Sequence, residues 1–133
     1  MSDPQDLSGV WYGSYAADSR EEANSFIAVL EETHGAVTGT ITEPDDQGRA
    51  DLRRASVAGQ RGGATLRFVK QYDGRGGWSH AVTYTGQVDG EGTEVAGRWT
   101  VDGLTGSFAM RREKLSAEEL EAEEFAFARG MAD

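Results

Sequence analysis

Thr83-Tyr84-Thr85-Gly86-Gln87-Val88-Asp89-Gly90-Glu91-Gly92-Thr93-Glu94-Val95-Ala96-Gly97-Arg98-Trp99-Thr100-Val101 decides the fold. It reads as two antiparallel strands about a Gly-rich turn, each alternating apolar with polar residues. One row holds Val82, Tyr84, Gly86 and Val88, then Val95, Gly97, Trp99 and Val101. The other holds Thr83, Thr85 and Gln87, then Ala96, Arg98 and Thr100. A period of two puts the first row on a core and the second in water.

The same unit, apolar-polar-Gly-polar-apolar, returns along the chain. It stands at Trp11 to Tyr15, Val37 to Ile41 and Leu104 to Phe108, and at Val57 to Arg61, where Arg61 breaks the apolar position. Its spacing is irregular, so each copy is a strand rather than a solenoid turn. A glycine in the inward row leaves room for a large neighbour and lets a strand bend round a small barrel. The pattern predicts eight strands, at Leu7–Ala16, Asn24–Thr33, Ala36–Glu43, Arg53–Gln60, Ala64–Gln71, Ser79–Val88, Glu94–Val101 and Leu104–Arg112. His34-Gly35 carries a two-residue turn signal. In the second strand Ile27 and Val29 make the outer face apolar as well, so a cover on both sides is expected. Eight sequential strands with mostly short connections suit an antiparallel up-and-down barrel, which leaves no free edge.

After residue 112 the chain changes character. Ser116-Ala117-Glu118-Glu119 has the form of a capping box, acidic residues crowd the first turns, and Leu120, Phe127 and Met131 share a stripe with Phe125 beside it. The expected organisation is a tail at 1–6, a β-barrel at 7–112 and a C-terminal helix at 113–133. The helix would lie on the barrel, plug one end or meet a partner chain.

Composition narrows the function. The 133-residue chain has a net charge of −10, which opposes binding to nucleic acid. It has no cysteine and two histidines, which disfavours disulfides, thiolate chemistry and a histidine metal site. No cofactor and no metal are expected. Neither a leader nor a membrane-spanning run is seen in the sequence, so no membrane association and a cytoplasmic location are the expectations.

Candidate site residues gather at one expected barrel mouth. Lys70 shares a row with Leu66 and Phe68, and His80 shares one with Val82 and Tyr84. Tyr72 and Trp78 prolong these rows past the strand ends. A cation and an imidazole over aromatic walls suit a small anionic or aromatic ligand. Trp11, Tyr15, Tyr84 and Trp99 form an inward aromatic set, which would either fill the interior or wall a cavity. Glu31, Glu32 and Glu43 could serve as general bases, but the stronger reading is ordinary strand-end carboxylates in a chain that is acidic throughout. Arg53-Arg54 and Arg111-Arg112 read as a solvated basic face. Asp45-Asp46-Gln47-Gly48 lacks the closing glutamate of a calcium loop and reads as a turn. No serine sits in a nucleophile elbow near His80, and Asp73 with His80 is a conceivable acid–base pair.

Leu7-Ser8-Gly9-Val10-Trp11, Val37-Thr38-Gly39-Thr40-Ile41, Val57-Ala58-Gly59, Phe68-Val69-Lys70, Tyr84-Thr85-Gly86-Gln87 and Val95-Ala96-Gly97-Arg98-Trp99 together resemble avidin and streptavidin over Leu7 to Val101. Gly9-Val10-Trp11 is also similar to the opening of lipocalin-type barrels. The resemblance implies a calycin-type barrel with an aromatic-walled cavity, Phe68 and Trp99 matching two walls. It implies no tight biotin site. Gly13 stands where the family has an amide, Ile41 where it has a tyrosine and His80 near its strand-six hydroxyl. With Leu104 so soon after Val101, the acidic ligand of the last strand has no counterpart. Biotin's ureido group would then lack its partners.

The sequence thus leads to an all-β barrel that binds a small hydrophobic or aromatic molecule without catalysis. Trp11, Phe68, Trp99 and Phe108 are expected to supply the binding energy and Lys70, His80 and Tyr84 the selectivity, with Tyr72 and Trp78 also lining the ligand site. The alternatives are a protein-interaction or homo-oligomerising scaffold with a filled interior, using the barrel exterior or the helix, and an enzyme with His80 as acid or base.

Overall fold

A computed structural model describes residues 3–44, 52–74 and 79–113. Eight strands close into one antiparallel barrel: β1 (Gly9–Ala17), β2 (Asn24–Thr33), β3 (Ala36–Pro44), β4 (Leu52–Gly62), β5 (Thr65–Tyr72), β6 (Ala81–Val88), β7 (Glu94–Val101) and β8 (Leu104–Arg111). Each strand pairs with the next, and β8 returns to β1, with Gly13 opposite Met110 and Tyr15 opposite Phe108. Closure satisfies both edges of every strand, so no strand is left open to another chain's backbone. Two tight hairpins use left-handed residue pairs: His34 (φ 51°) with Gly35 (φ 84°), and Asp102 (φ 43°) with Gly103 (φ 81°). Paired positive φ values match the right-handed twist of the flanking strands.

Alternate burial runs through β5 without a break from Thr65 to Tyr72. Inward Phe68 stacks on Tyr84 with centroids 4.8 Å apart, and Phe108 meets Tyr84 edge-on at 4.9 Å. These rings occupy space left by inward glycines. A Cβ on Gly86 would stand 2.9 Å from the Phe108 ring, on Gly13 2.4 Å from Phe26, and on Gly106 2.3 Å from the Trp99 indole. Small and large residues therefore interlock between adjacent strands and, for Gly86 and Phe108, between β6 and β8, which is how a narrow barrel fills its middle.

One end is shut by residues 3–8. Leu7 and Trp11 are fully buried, and the Trp11 indole N–H donates to the Leu7 carbonyl at 2.9 Å. The Arg112 guanidinium lies 4.3 Å over the Trp11 ring and donates to the carbonyls of Asp6, Ser8 and Gly92. Beside it, Arg61 donates to both carboxylate oxygens of Glu32, at 2.6 and 2.8 Å, and to Asp3 at 2.5 Å. Glu32 also accepts the Leu7 amide at 3.2 Å. A buried bidentate pair that holds the strap and satisfies its own donors makes a rigid plug.

Several expectations are corrected. Arg53 and Arg112 are not a solvated basic face. Arg53 is 1% exposed, and Arg112 lies in the plug. Arg61, the apparent break in the β4 pattern, keeps its inward phase and is neutralised there by Glu32. Glu43 is 1% exposed rather than solvated at a strand end. The outer face of β2 is uncovered among the described residues: Ile27 is 45% and Val29 48% exposed, beside Val10 and Tyr12 of β1. His80 precedes β6 and is exposed, so it does not continue the inward row as a core residue. The expected helix at 113–133, apart from its first residue, the Asp45–Gly48 turn and Trp78 lie outside the described residues.

Candidate functional site

The end opposite the plug is hollow. A cavity of about 680 Å³ opens there between the β1–β2 connection, Lys70 and Tyr72 of β5, His80 just before β6, Val82 and Tyr84 of β6, and Trp99 and Val101 of β7. Its size falls within the range of small-molecule sites. Trp99 forms a fixed wall. Its indole N–H donates to the Ser107 carbonyl at 3.2 Å, and its ring meets Tyr15 edge-on at 6.2 Å.

The polar floor is a single buried cluster. Glu43 Oε1 accepts from the Tyr15 and Tyr72 hydroxyls at 2.8 Å each and from Arg53 Nε at 3.1 Å. Its other oxygen, Oε2, is 3.4 Å from Lys70 Nζ. The ammonium also lies 4.3, 4.7 and 5.1 Å from the ring centroids of Tyr15, Tyr72 and Tyr84. Five strands, β1, β3, β4, β5 and β6, thus bring one side chain or more to this point. The positions follow from the period of two: Glu43 continues the inward row of Ile41, Arg53 precedes Ala55, and Lys70 follows Phe68.

Burial sets the protonation of the cluster. It pushes the Tyr15, Tyr72 and Tyr84 hydroxyls above their ordinary range, reinforced for Tyr15 by Glu43 and for Tyr72 and Tyr84 by Tyr15 and Glu43. All three therefore remain donors at neutral pH. Burial acts oppositely on Lys70 and lowers it from 10.5 to about 8, although Glu43 pulls it back up. Desolvation outweighs the attraction because the ammonium's one carboxylate contact is long. His80 stands at the rim, its ring 4.8 Å from that of Tyr72.

Of the residues singled out in the sequence, Lys70, Tyr72, His80, Tyr84 and Trp99 border this cavity. Phe68 and Phe108 pack deeper, in the ring stack at the middle of the barrel. Trp11 is remote, in the plug at the far end. Tyr15 of the inward aromatic set also borders the cavity, and Glu43 and Arg53 lie behind Lys70 and the tyrosines, where their inward phase was the available signal. The two charged residues sit next to loops, where a strand-end reading competes with the alternation. Among the described residues no group of three or more His, Asp or Glu side chains could hold a metal ion.

No protein-family model matches the chain, and no curated protein matches it. Among solved structures it is similar to designed barrels. A redesigned beta barrel superposes with a TM-score of 0.67 at 14% identity, over 84% of this chain and 96% of that one. The redesigned beta barrel mFAP1, bound to DFHBI, gives 0.64 at 14% identity, over 84% and 100%. A de novo fluorescence-activating beta barrel gives 0.58 at 19% identity, over 85% and 100%. At such identities the likeness concerns the fold.

Proposed function

We propose that the barrel binds a small aromatic molecule in its open-end cavity, without chemistry on that ligand being required for binding. The observation that carries this is asymmetry. One end is sealed by residues 3–8 with Arg61 and Arg112, while the other keeps about 680 Å³ of space over a floor of Lys70 and tyrosines. A protein that needed only a packed barrel could fill that space with side chains, as it does around Phe68 and Phe108. Trp99, Tyr84 and Val82 supply apolar contact, and Lys70 offers a donor to an acceptor group on the ligand. The designed neighbour bound to DFHBI supports the fold's capacity for such cargo, while its low identity transfers no residue role.

The test is titration with 2-naphthol and DFHBI, read by tryptophan quenching in the wild type and in Trp99→Phe. Saturable quenching that Trp99→Phe diminishes and Val101→Trp, a block at the mouth, abolishes is expected. Unchanged quenching in a folded Val101→Trp variant refutes this site.

A second reading has its own observation. Val10, Tyr12, Ile27 and Val29 form an exposed apolar patch on the β1–β2 exterior. It would serve as an interface between two copies of the chain, and Ile27→Lys would then lower the mass seen by light scattering.

A further inference from the structure

We propose that Lys70 captures a carbonyl-bearing ligand, an aromatic aldehyde by chemical class, as an imine at the floor of the open-end cavity. The inference rests on the ligand-binding reading above and adds the functional group by which the ligand is held.

The first observation is the placement of lysine. Of 13 Lys and Arg residues, two are lysines, Lys70 and Lys114, so nearly every cation of this chain is arginine. Arginine fills the buried ion pairs with Glu32 and Glu43. Guanidinium is always charged and cannot act as a nucleophile, whereas an amine that loses its proton can. The single lysine among the described residues stands at the bottom of the cavity and is 1% exposed.

The second observation is its surroundings. Lys70 faces Tyr15 from β1, Glu43 from β3, Arg53 from β4, Tyr84 from β6 and Tyr72 on its own strand, with His80 at the rim. Arg53, at 3.1 Å, holds Glu43 more closely than Lys70 does at 3.4 Å. The carboxylate therefore keeps a permanent cation when the amine is neutral. Burial and the neighbouring Arg53 cation favour the free amine, and desolvation or an adjacent cation is the usual way a lysine is activated toward carbonyls. Consistent with this, burial holds its ammonium at about 8 rather than 10.5.

The step balances without an oxidant or reductant. The Nζ lone pair forms the C–N bond while the carbonyl π pair moves to oxygen. Nitrogen then loses one proton and oxygen gains one, giving the carbinolamine. Protonation of that hydroxyl lets the C–O bond break, water departs, and the nitrogen lone pair completes C=N as an iminium, whose N–H proton then leaves and restores the proton taken up. One aldehyde and one amine become one imine and one water.

The test uses the full chain with 2-naphthaldehyde and sodium cyanoborohydride at pH 7.5, followed by peptide mass mapping. In parallel, 2-naphthylmethanol, which cannot form an imine, is titrated by tryptophan quenching. Lys70 should be labelled at least about tenfold faster than Lys114, because an ordinary lysine is almost wholly protonated at that pH, and faster than the N-terminal amine because the cavity holds the aldehyde beside Nζ. The label should fall when 2-naphthylmethanol is in excess, and Lys70→Arg and Lys70→Met should lose it at that position. Mapping on the wild type compares the amines directly, so the result does not depend on either variant folding. If the alcohol binds in the cavity but label appears only at Lys114 or the N-terminus, imine capture is wrong and the binding site stands. If the alcohol does not bind and Lys70 is not labelled, both readings fall.

Discussion

Replacing Lys70 with methionine should make the protein more stable, not less, at neutral pH. Methionine has about the length of the lysine stem and leaves the cavity floor filled. The ammonium's departure from 10.5 to about 8 means that the fold resists its charge even with Glu43 nearby. A shift of about 2.5 units corresponds to about 3 kcal/mol. Its sign is fixed by linkage. Between pH 8 and 10.5 the unfolded chain holds a proton on this group that the native protein has released, so wild-type stability rises with pH across that window. Below about 8 the full cost is present. Above pH 10 the buried tyrosines, raised by the fold, act in the opposite direction. Urea unfolding followed by tryptophan fluorescence at pH 7 and pH 9.5 measures both effects. Lys70→Met should gain about 2–3 kcal/mol at pH 7, and the gain should shrink by more than half at pH 9.5. A variant that is less stable than wild type at pH 7, with the wild-type pH slope retained, would show that Glu43 and the three rings more than repay the desolvation. The argument for an amine held against its charge would then fail.

Other outcomes test the frame around the site. Arg61→Met leaves the partly buried Glu32 carboxylate without its bidentate partner and should cost about 1–3 kcal/mol in the same assay. Faster proteolysis of residues 3–8 should accompany it, since Arg61 also holds Asp3. Gly97→Ala places a Cβ 2.1 Å from the Thr85 carbonyl oxygen and 2.5 Å from Gly86 Cα, both backbone, and should destabilise by about 1–3 kcal/mol. Gly90→Ala meets nothing within 4 Å and should change stability by less than about 0.5 kcal/mol, a control on the same hairpin.

The barrel was legible because its signal is redundant. The hairpin from Thr83 to Val101 folds as read, with Tyr84 opposite Trp99 and Gly86 opposite Gly97. The glycine-for-ring exchange repeats on neighbouring strands, so one misplaced residue could not shift the register. The ends were harder. Alternation says which side of a strand a residue faces, not which end of the barrel is sealed. Trp11 and Trp99 share an inward phase yet lie at opposite ends, one under Arg112 and one beside the cavity. Charge misled for a related reason: Arg53 and Glu43 keep the inward phase and are buried because they pair with each other on adjacent strands, and Arg61, half-buried, pairs with Glu32 two strands away, which no local pattern can display. His80 stands one residue before β6 and is exposed, at the rim of the cavity rather than within the strand.

The account turns on which end of the barrel takes a guest. Intermolecular nuclear Overhauser contacts between bound 2-naphthylmethanol and the labelled protein measure this directly. Contacts to Val82, Tyr84 and Trp99, with none to Leu7 or Trp11, are the predicted result. Contacts confined to Val10, Tyr12, Ile27 and Val29 on the outside, or to the Leu7–Trp11 end, would contradict it.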